Sequence, residues 1–423
     1  MENRSVLEYE WIGEGESFSL TDSQLAYLDN LCKTTRCTFI EWQRNRFRFC
    51  GYCGVLQLGE LNLEVLPKIY GKETDKGISR NILIRMLAAV RKLELNNMGS
   101  ASLHLQKHIL LDIFILAFAE KLWNTLRRGM FHTYVVQSEN CTAVKGKIAI
   151  PEQIRHNSAH NERVFCTFDS FQADNLQNRV IKRTLKCLLN FAQSLTVQQK
   201  LEPLYGVFTD VQDYHPNDSD WSRITFNRIN QDWEEILTQC RWFLKGMSPD
   251  VVSGNAKSIS LMFSMNTLFE EYVGVELKKA IGEQYDVLLQ KPQKKLLYHN
   301  SEQLFTMKPD IFIQDFKTNK GIAILDTKWK LLNGEERKMG VSQADLYQMY
   351  TYAGSYNVDN VVLMYPFQSD LAHLDSTWKF ADGKRSVTIL QINLETILHG
   401  RTAFRETLKN KLQKLGIFSG SDK

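Results

Sequence analysis

The sequence predicts a multidomain α/β protein: a β-rich N-terminal region, a mainly helical middle region with an extended arm, and a C-terminal α/β domain. Three observations carry this. Strand-like runs crowd the first 70 or so residues, long helical runs fill the middle, and strand, helix and strand alternate after residue 300. At 423 residues the chain has room for about two or three domains. Its 43 % apolar and 24 % charged residues are those of a globular protein, which excludes a disordered or fibrous class. The net charge of +4 permits nucleic-acid binding without demanding it. Basic runs at Arg179–Arg183, Lys291–Lys295 and Lys409–Lys414 could serve such binding or form solvated faces.

In chain order, Thr38 to Trp42, Arg46 to Leu58 and Leu61 to Leu66 read as strands. Gly71 to Gly77 is a polar linker. Helices follow at Ile78–Leu95 and at about Leu103–Arg128. Gly129 after Arg127 and Arg128 is a sensible helix end. The greasiest run, Ile109 to Ala119, is short and contains Asp112, so it reads as a buried helix and not a membrane span. Residues 130–150 suggest a hairpin or extended arm. Helices recur at Asn175–Leu195 and Gln231–Leu244, and Ser248–Asn255 reads as a loop. These breaks suggest regions 1–72, 73–247 and 248–423. Strands at 360–365 and 386–393 and a helix at about Thr402–Lys414 close the chain, with a disordered tail expected after Ser419. The start Met1-Glu2-Asn3-Arg4 has no apolar run behind it, so a cytoplasmic protein without a membrane partner is expected.

The chemistry concentrates near residue 320. Leu304 to Ile313 reads as one strand-like run containing Pro309-Asp310, and Gly321 to Lys330 as a second containing Asp326-Thr327-Lys328. Lys317 to Gly321 between them has hairpin-turn residues. Side chains alternate along a strand, so Asp326 and Lys328 share a face. A carboxylate inside an apolar run is costly unless paired or bound to metal. Two carboxylates and one ammonium at strand ends suit a divalent metal and an activated water, the chemistry of phosphodiester hydrolysis. Charged residues at strand ends can equally be merely solvated. Downstream, Ser342 is placed to cap a helix with Asp345 at the capping-box position, and Gln348 and Tyr352 share one face of it. Upstream, Met265 begins a helix toward Ala280 that places Glu270 as a further acid. An ordinary solvated Glu270–Glu271 pair fits the same residues.

The ordered set Asn266-X-X-Phe269-Glu270, Pro309-Asp310, Asp326-Thr327-Lys328 and Gln348-X-X-X-Tyr352 resembles the McrC family. So do Gly54-Val55-Leu56-Gln57-Leu58-Gly59 with Leu66-Pro67-Lys68-Ile69, and Val144-Lys145-Gly146-Lys147-Ile148, so the resemblance spans nearly the whole chain. It implies a nuclease subunit of an McrBC-type, modification-dependent restriction system, an antiviral defence that cleaves DNA carrying 5-methylcytosine. It implies a C-terminal nuclease domain of the PD-(D/E)XK restriction-endonuclease-like fold. Asp310 and Asp326, helped by Glu270 and the Thr327 carbonyl, would ligate Mg²⁺. Lys328 would position or polarise the attacking water, and Gln348 and Tyr352 would orient the DNA backbone. The implied partners are double-stranded DNA and an McrB-like AAA+ GTPase ring engaged by the arm.

The remaining signals refine this. No Gly-x4-Gly-Lys-Ser/Thr loop occurs, so the chain should not hydrolyse nucleotide. Cys32, Cys37, Cys50 and Cys53 could form a zinc site, but Cys50 and Cys53 fall on a strand-like run and read better as small buried residues. The other four cysteines are scattered, which argues against a disulfide framework. His156 and His160 have helical metal spacing but sit in a polar, loop-like stretch and read as solvated. Two further functions stay open: a catalytically silent adaptor of an AAA+ ring, and a stand-alone DNA repair nuclease. Intact Asp310, Asp326 and Lys328 weigh against the first, and the N-terminal resemblance against the second.

Overall fold

A computed structural model describes residues 2–16, 18–35, 39–90, 109–159, 162–226, 228, 230–246, 258–299, 302–334 and 338–417. The expected loop 248–255, the tail after 419, Cys37, His160, and parts of two expected helices (91–95 and 103–108) lie outside these residues.

The first elements are β1 (Glu2–Leu7), β2 (Ile12–Gly13), α1 (Asp22–Thr35), β3 (Ile40–Gln43), β4 (Arg46–Phe49), β5 (Tyr52–Leu58), β6 (Leu61–Leu66) and α2 (Lys76–Val90). Next come α3 (Leu110–Leu126), β7 (Thr133–Cys141), β8 (Lys147–Ile148), α4 (Ile150–Asn157) and β9 (Val164–Gln172). Four helices follow, α5 (Leu176–Phe191), α6 (Leu195–Val207), α7 (Asp218–Arg223) and α8 (Glu234–Gly246). The rest comprises β10 (Ser258–Ser264), α9 (Met265–Ile281), β11 (Tyr285–Leu289), β12 (Lys294–His299), β13 (Glu302–Met307), β14 (Ile311–Asp315), β15 (Gly321–Thr327), α10 (Gln343–Tyr356), β16 (Asn360–Pro366), β17 (Ser376–Lys379), β18 (Ser386–Ile392) and α11 (Arg401–Lys414).

These elements form two compact units, Met1–Leu93 with Ser260–Lys423, and Glu94–Ile259. Region 1–72 and, from Ser260 onward, region 248–423 of the sequence reading therefore fall together in one unit, with α2 between them in sequence. The cause is strand pairing: β10, which leads into α9, is the edge strand of the N-terminal sheet β1-β6-β5-β10. Gly54 makes that pairing possible. Its φ is 148°, and a Cβ there would sit 1.9 Å from the Leu261 carbonyl oxygen of β10. The Met265 N–H then donates to the Gly51 carbonyl at 2.9 Å, and α2 packs on β6 and α9.

The same unit holds a six-stranded sheet of order β11-β14-β15-β16-β18-β17. β15, β16 and β18 pair in parallel, and the edges are antiparallel. The central strands are apolar almost without interruption, as burial on both faces requires: Val361, Val362, Leu363, Met364 and Tyr365 are all inaccessible to solvent. Helix α10 packs on β15 and β16, and α9 packs on β15 and β11. Ser342 caps α10 as expected, accepting from the Asp345 N–H at 3.1 Å.

The strand-like run Leu304–Ile313 is two strands and not one. β13 belongs to a separate hairpin with β12, and β14 starts only at Ile311. Pro309 has no N–H for a ladder, so the chain turns there and frees Asp310 from regular pairing.

In the second unit, α3, α5, α6 and α8 pack as a helical bundle whose core includes Phe114, Phe118 and Phe243. Asp112, buried inside α3, accepts from the backbone N–H groups of Gln193 and Ser194 at the head of α6. This explains a charge within the greasiest helix. The expected arm is a sheet of order β7-β9-β8. β7 pairs over nine residues with β9, which falls beyond 150, with α4 lying between in sequence. Gly146 fits the turn before β8: its φ is 63°, and a Cβ would lie 2.6 Å from the Thr167 carbonyl. Among the described residues no helix is long and apolar enough to cross a membrane.

Candidate active site

The Pro309 turn, the end of β15 and one face of α10 bring five of the six expected side chains into one set linked by an ion pair, hydrogen bonds and the backbone at Thr327. Asp326 lies on β15, flanked by β14 and β16, and is 1 % exposed. Lys328 follows the end of β15. Its backbone N–H donates to the Met364 carbonyl at 2.8 Å and so continues the alignment with β16. Its Nζ lies 2.6 Å from Asp326 Oδ2, 3.5 Å from Gln348 Oε1 and 3.8 Å from Asp345 Oδ1. Gln348 Nε2 donates to the Tyr352 hydroxyl at 3.0 Å, and that hydroxyl donates to the Lys308 carbonyl at 3.2 Å. Asp310 closes the set across the turn: its Oδ2 accepts from the Thr327 N–H at 2.8 Å and the Thr327 hydroxyl at 3.0 Å. Thus Thr327, on the opposite strand face from Asp326 and Lys328, ties the Pro309 turn to β15.

The sixth residue, Glu270, projects from α9 and is half-buried, with its Oε1 accepting from Gln290 Nε2 at 2.7 Å. Among the described residues no group of three or more His, Cys, Asp or Glu side chains is gathered closely enough to hold a metal. Glu270, Asp310 and Asp326 therefore share a corner without converging as a ready-made triple, because Glu270 is turned to Gln290. Asp310 and Asp326 are the nearer candidates. Of the cysteines considered for zinc, Cys53 is buried and Cys32 and Cys50 partly so.

Electrostatics favour a cation here. Burial raises the Asp326 carboxyl above its usual range, and the Asp310 charge adds to this while Lys328 opposes it. Burial raises Asp310 too, then Glu270, against the Thr327 hydrogen bonds and Lys328. Burial likewise raises Glu270. For Lys328, burial disfavours the ammonium, but Asp326, Asp345 and Asp310 outweigh it and hold the group above its ordinary value. Several acids thus crowd one cation, and a divalent ion would relieve the mutual penalty. The donors are hard carboxylate oxygens, and Mg²⁺ characteristically takes one or two carboxylates plus waters. The residues present fit that ion.

Three contributors escape sequence reasoning. Asp345 reads as a capping residue, yet its side chain pairs with Lys330 at 2.5 Å and faces Lys328. Its spacing from Ser342 pointed to the cap and masked the ion pair. Gln290, which holds Glu270, has no local signal. Asn266 stands in the ordered motif set, but only the structure gives it a contact: its Oδ1 accepts from the Trp329 N–H at 3.1 Å.

The sequence model of the family described as "McrBC 5-methylcytosine restriction system component" matches residues 47–366. The type IV methyl-directed restriction enzyme EcoKMcrBC of Escherichia coli (strain K12) is 24 % identical over 288 residues, covering 64 % of this chain and 79 % of that protein. Among solved structures, a chain of the Thermococcus gammatolerans assembly of McrB AAA+ hexamers with bound McrC matches with a TM-score of 0.69 and 18 % identity. That match covers 97 % of this chain and all of the other. A chain of the Thermococcus gammatolerans McrBC complex matches with a TM-score of 0.53 and 18 % identity, over 66 % of this chain and 88 % of the other.

Proposed function

The chain belongs to the McrBC 5-methylcytosine restriction system component family, and on that premise we propose that it is the McrC-type nuclease subunit: a Mg²⁺-dependent endodeoxyribonuclease with a PD-(D/E)XK site, acting on double-stranded DNA that carries modified cytosine. The observation that carries this reading is the continuous set Asp326, Lys328, Gln348, Tyr352 and the Lys308 carbonyl, closed through Asp310 and Thr327. A silent adaptor has no reason to bury and pair these charges, since burial of charge is costly unless used or compensated.

In this reading Asp310 and Asp326 would hold Mg²⁺, with the Glu270 carboxylate adding negative charge beside them. When bound, the ion supplies charge neutralisation at the phosphate and a more acidic water. Lys328, fixed between Asp326 and Gln348, orients the water that attacks phosphorus and offsets the negative charge that builds there. The water oxygen forms a new P–O bond as one P–O ester bond breaks; the water gives up a proton and the leaving oxygen takes one up. Gln348 is half-buried at the edge of the set and meets the DNA backbone, while the Tyr352 hydroxyl holds both Gln348 and the Pro309 turn.

The reading extends to a partner. The chain has no phosphate-binding loop of the Gly-x4-Gly-Lys-Ser/Thr kind, so GTP turnover falls to an McrB-like AAA+ ring that this subunit stimulates. The β7-β9-β8 arm is the coupling surface, because Tyr134, Val136, Ile148 and Phe171 stand exposed on it. The test is cleavage of methylated and unmethylated DNA with the partner, GTP and Mg²⁺. Cleavage that requires all three and is lost in Asp310→Ala supports the reading. Stimulated GTP turnover with no cleavage by the intact chain leaves the adaptor.

A further inference from the structure

We propose that Glu8 is a positioning residue of the nuclease site: through the indole of Trp329 it fixes the backbone that carries Lys328. The activity part of this inference rests on the nuclease reading above.

Glu8 directly follows β1, and its backbone N–H donates to the Leu66 carbonyl at 2.8 Å, so its place is set by the N-terminal sheet. Its side chain is 1 % exposed. Glu8 Oε1 accepts from Trp329 Nε1 at 2.8 Å and from the Lys68 N–H at 3.1 Å. Trp329 is the residue after Lys328, and it is held at three points. Its backbone N–H donates to Asn266 Oδ1 at 3.1 Å. Its ring packs edge-on against Phe269, centroids 5.4 Å apart. Its indole N–H is satisfied by Glu8.

Two of these holds come from α9, which belongs to the site's own surroundings. The third comes from more than 300 residues away in sequence. A buried indole N–H needs an acceptor, and removing it leaves a costly unpaired donor. Trp329 would then turn toward any other acceptor and drag the preceding residue with it. Lys328 Nζ sits 2.6 Å from Asp326, and in such sites a misplacement of about 1 Å costs on the order of a hundredfold in rate. An acidic side chain placed in the core to accept from one tryptophan and from the backbone N–H groups of Lys68 and Gly51 is hard to explain by packing. Coupling the N-terminal sheet to the strand end that carries Asp326 and Lys328 explains it.

The experiment uses the full chain with its AAA+ partner, GTP, Mg²⁺ and DNA carrying 5-methylcytosine. Glu8→Ala and Trp329→Phe are compared with Glu8→Gln and with the double variant Glu8→Ala/Trp329→Phe. Each single variant should lower kcat for cleavage by roughly 10- to 100-fold, with KM for DNA within about twofold, and the double variant should be no worse than either. Glu8→Gln keeps the acceptor oxygen and should restore kcat. Stimulation of GTP turnover should be unchanged. Wild-type kcat in Glu8→Ala, additive losses in the double variant, or a Glu8→Gln no better than alanine would overturn the inference. Should Glu8→Ala fold poorly, Trp329→Phe carries the test, since it keeps an aromatic ring against Phe269 and removes the indole N–H donor. Amide hydrogen exchange separates this inference from the nuclease reading. Residues 328–332 should exchange faster in Glu8→Ala whether or not the chain cleaves DNA, and unchanged exchange there overturns the positioning role by itself.

Discussion

Around Asp326, charge is buried and almost every polar group has a partner, while on the β7-β9-β8 sheet large apolar side chains stand in solvent. Asp326 is 1 % exposed, whereas Tyr134 and Phe171 are 74 % and 60 % exposed. The first arrangement costs desolvation, which is recovered when a small, highly charged ligand enters. The second leaves hydrophobic free energy unused until a protein surface covers it. In the proposed reading, chemistry and coupling are thus separated by residue type, and each should break without the other.

The largest effect should follow from the acids. Asp310→Ala or Asp326→Ala should lower cleavage by about a thousandfold or more, several kcal/mol of transition-state stabilisation. Lys328→Ala should fall nearly as far while metal and DNA binding persist, and metal titration against single-turnover cleavage separates the two. On the other side, Tyr134→Ser/Val136→Ser/Phe171→Ser should cut stimulation of the partner's GTP turnover by on the order of tenfold to a hundredfold, since interface aromatics carry much of the binding energy. The measurement is turnover against subunit concentration, and an unchanged curve would remove the arm from the coupling surface.

A smaller effect should come from α10. Gln348→Ala and Tyr352→Phe should each slow cleavage by about tenfold, with metal affinity nearly unchanged, because neither faces the carboxylates directly. Equal losses of metal affinity would make the helix a support for the ligands. The smallest effect concerns stability. Burial pushes the Glu8 carboxyl up to about 7 from 4.5. A group whose folded pKa is raised contributes stability below its unfolded value and loses it as pH rises through the folded one. Folding stability should therefore fall by on the order of 3 kcal/mol at most as pH rises from about 4.5 to about 7, read as a lower melting temperature. Glu8→Gln should flatten that slope, and an equally steep slope in the variant would assign it to other groups.

Legibility in the sequence follows the range of the interactions. The Ser342 cap, the shared face of Gln348 and Tyr352, and the Asn319 turn between β14 and β15 are local, and all were readable. The Pro309 break was visible as a residue, but its consequence, a turn that swings Asp310 onto Thr327, needed the partner strand. The pairing of β7 with β9 spans α4, and the pairing of β10 with β5 joins segments some 200 residues apart, so periodicity could not announce either. The same holds for Glu8, whose only signal is its partner Trp329. Helix α6 went unread because Pro203 sits inside it and argues against helix. A cut near residue 248, which looks natural in sequence, frees the segment beginning with β10 from its partner strand β5.

In the proposed reading, catalysis and coupling reside in different parts of this chain. The most direct test is to measure Asp326→Ala in two assays at once, partner GTP turnover and cleavage of DNA carrying 5-methylcytosine. Turnover should be stimulated to the wild-type level, with cleavage reduced about a thousandfold or more. Cleavage at the wild-type rate, or loss of stimulation together with cleavage in a folded variant, would contradict it.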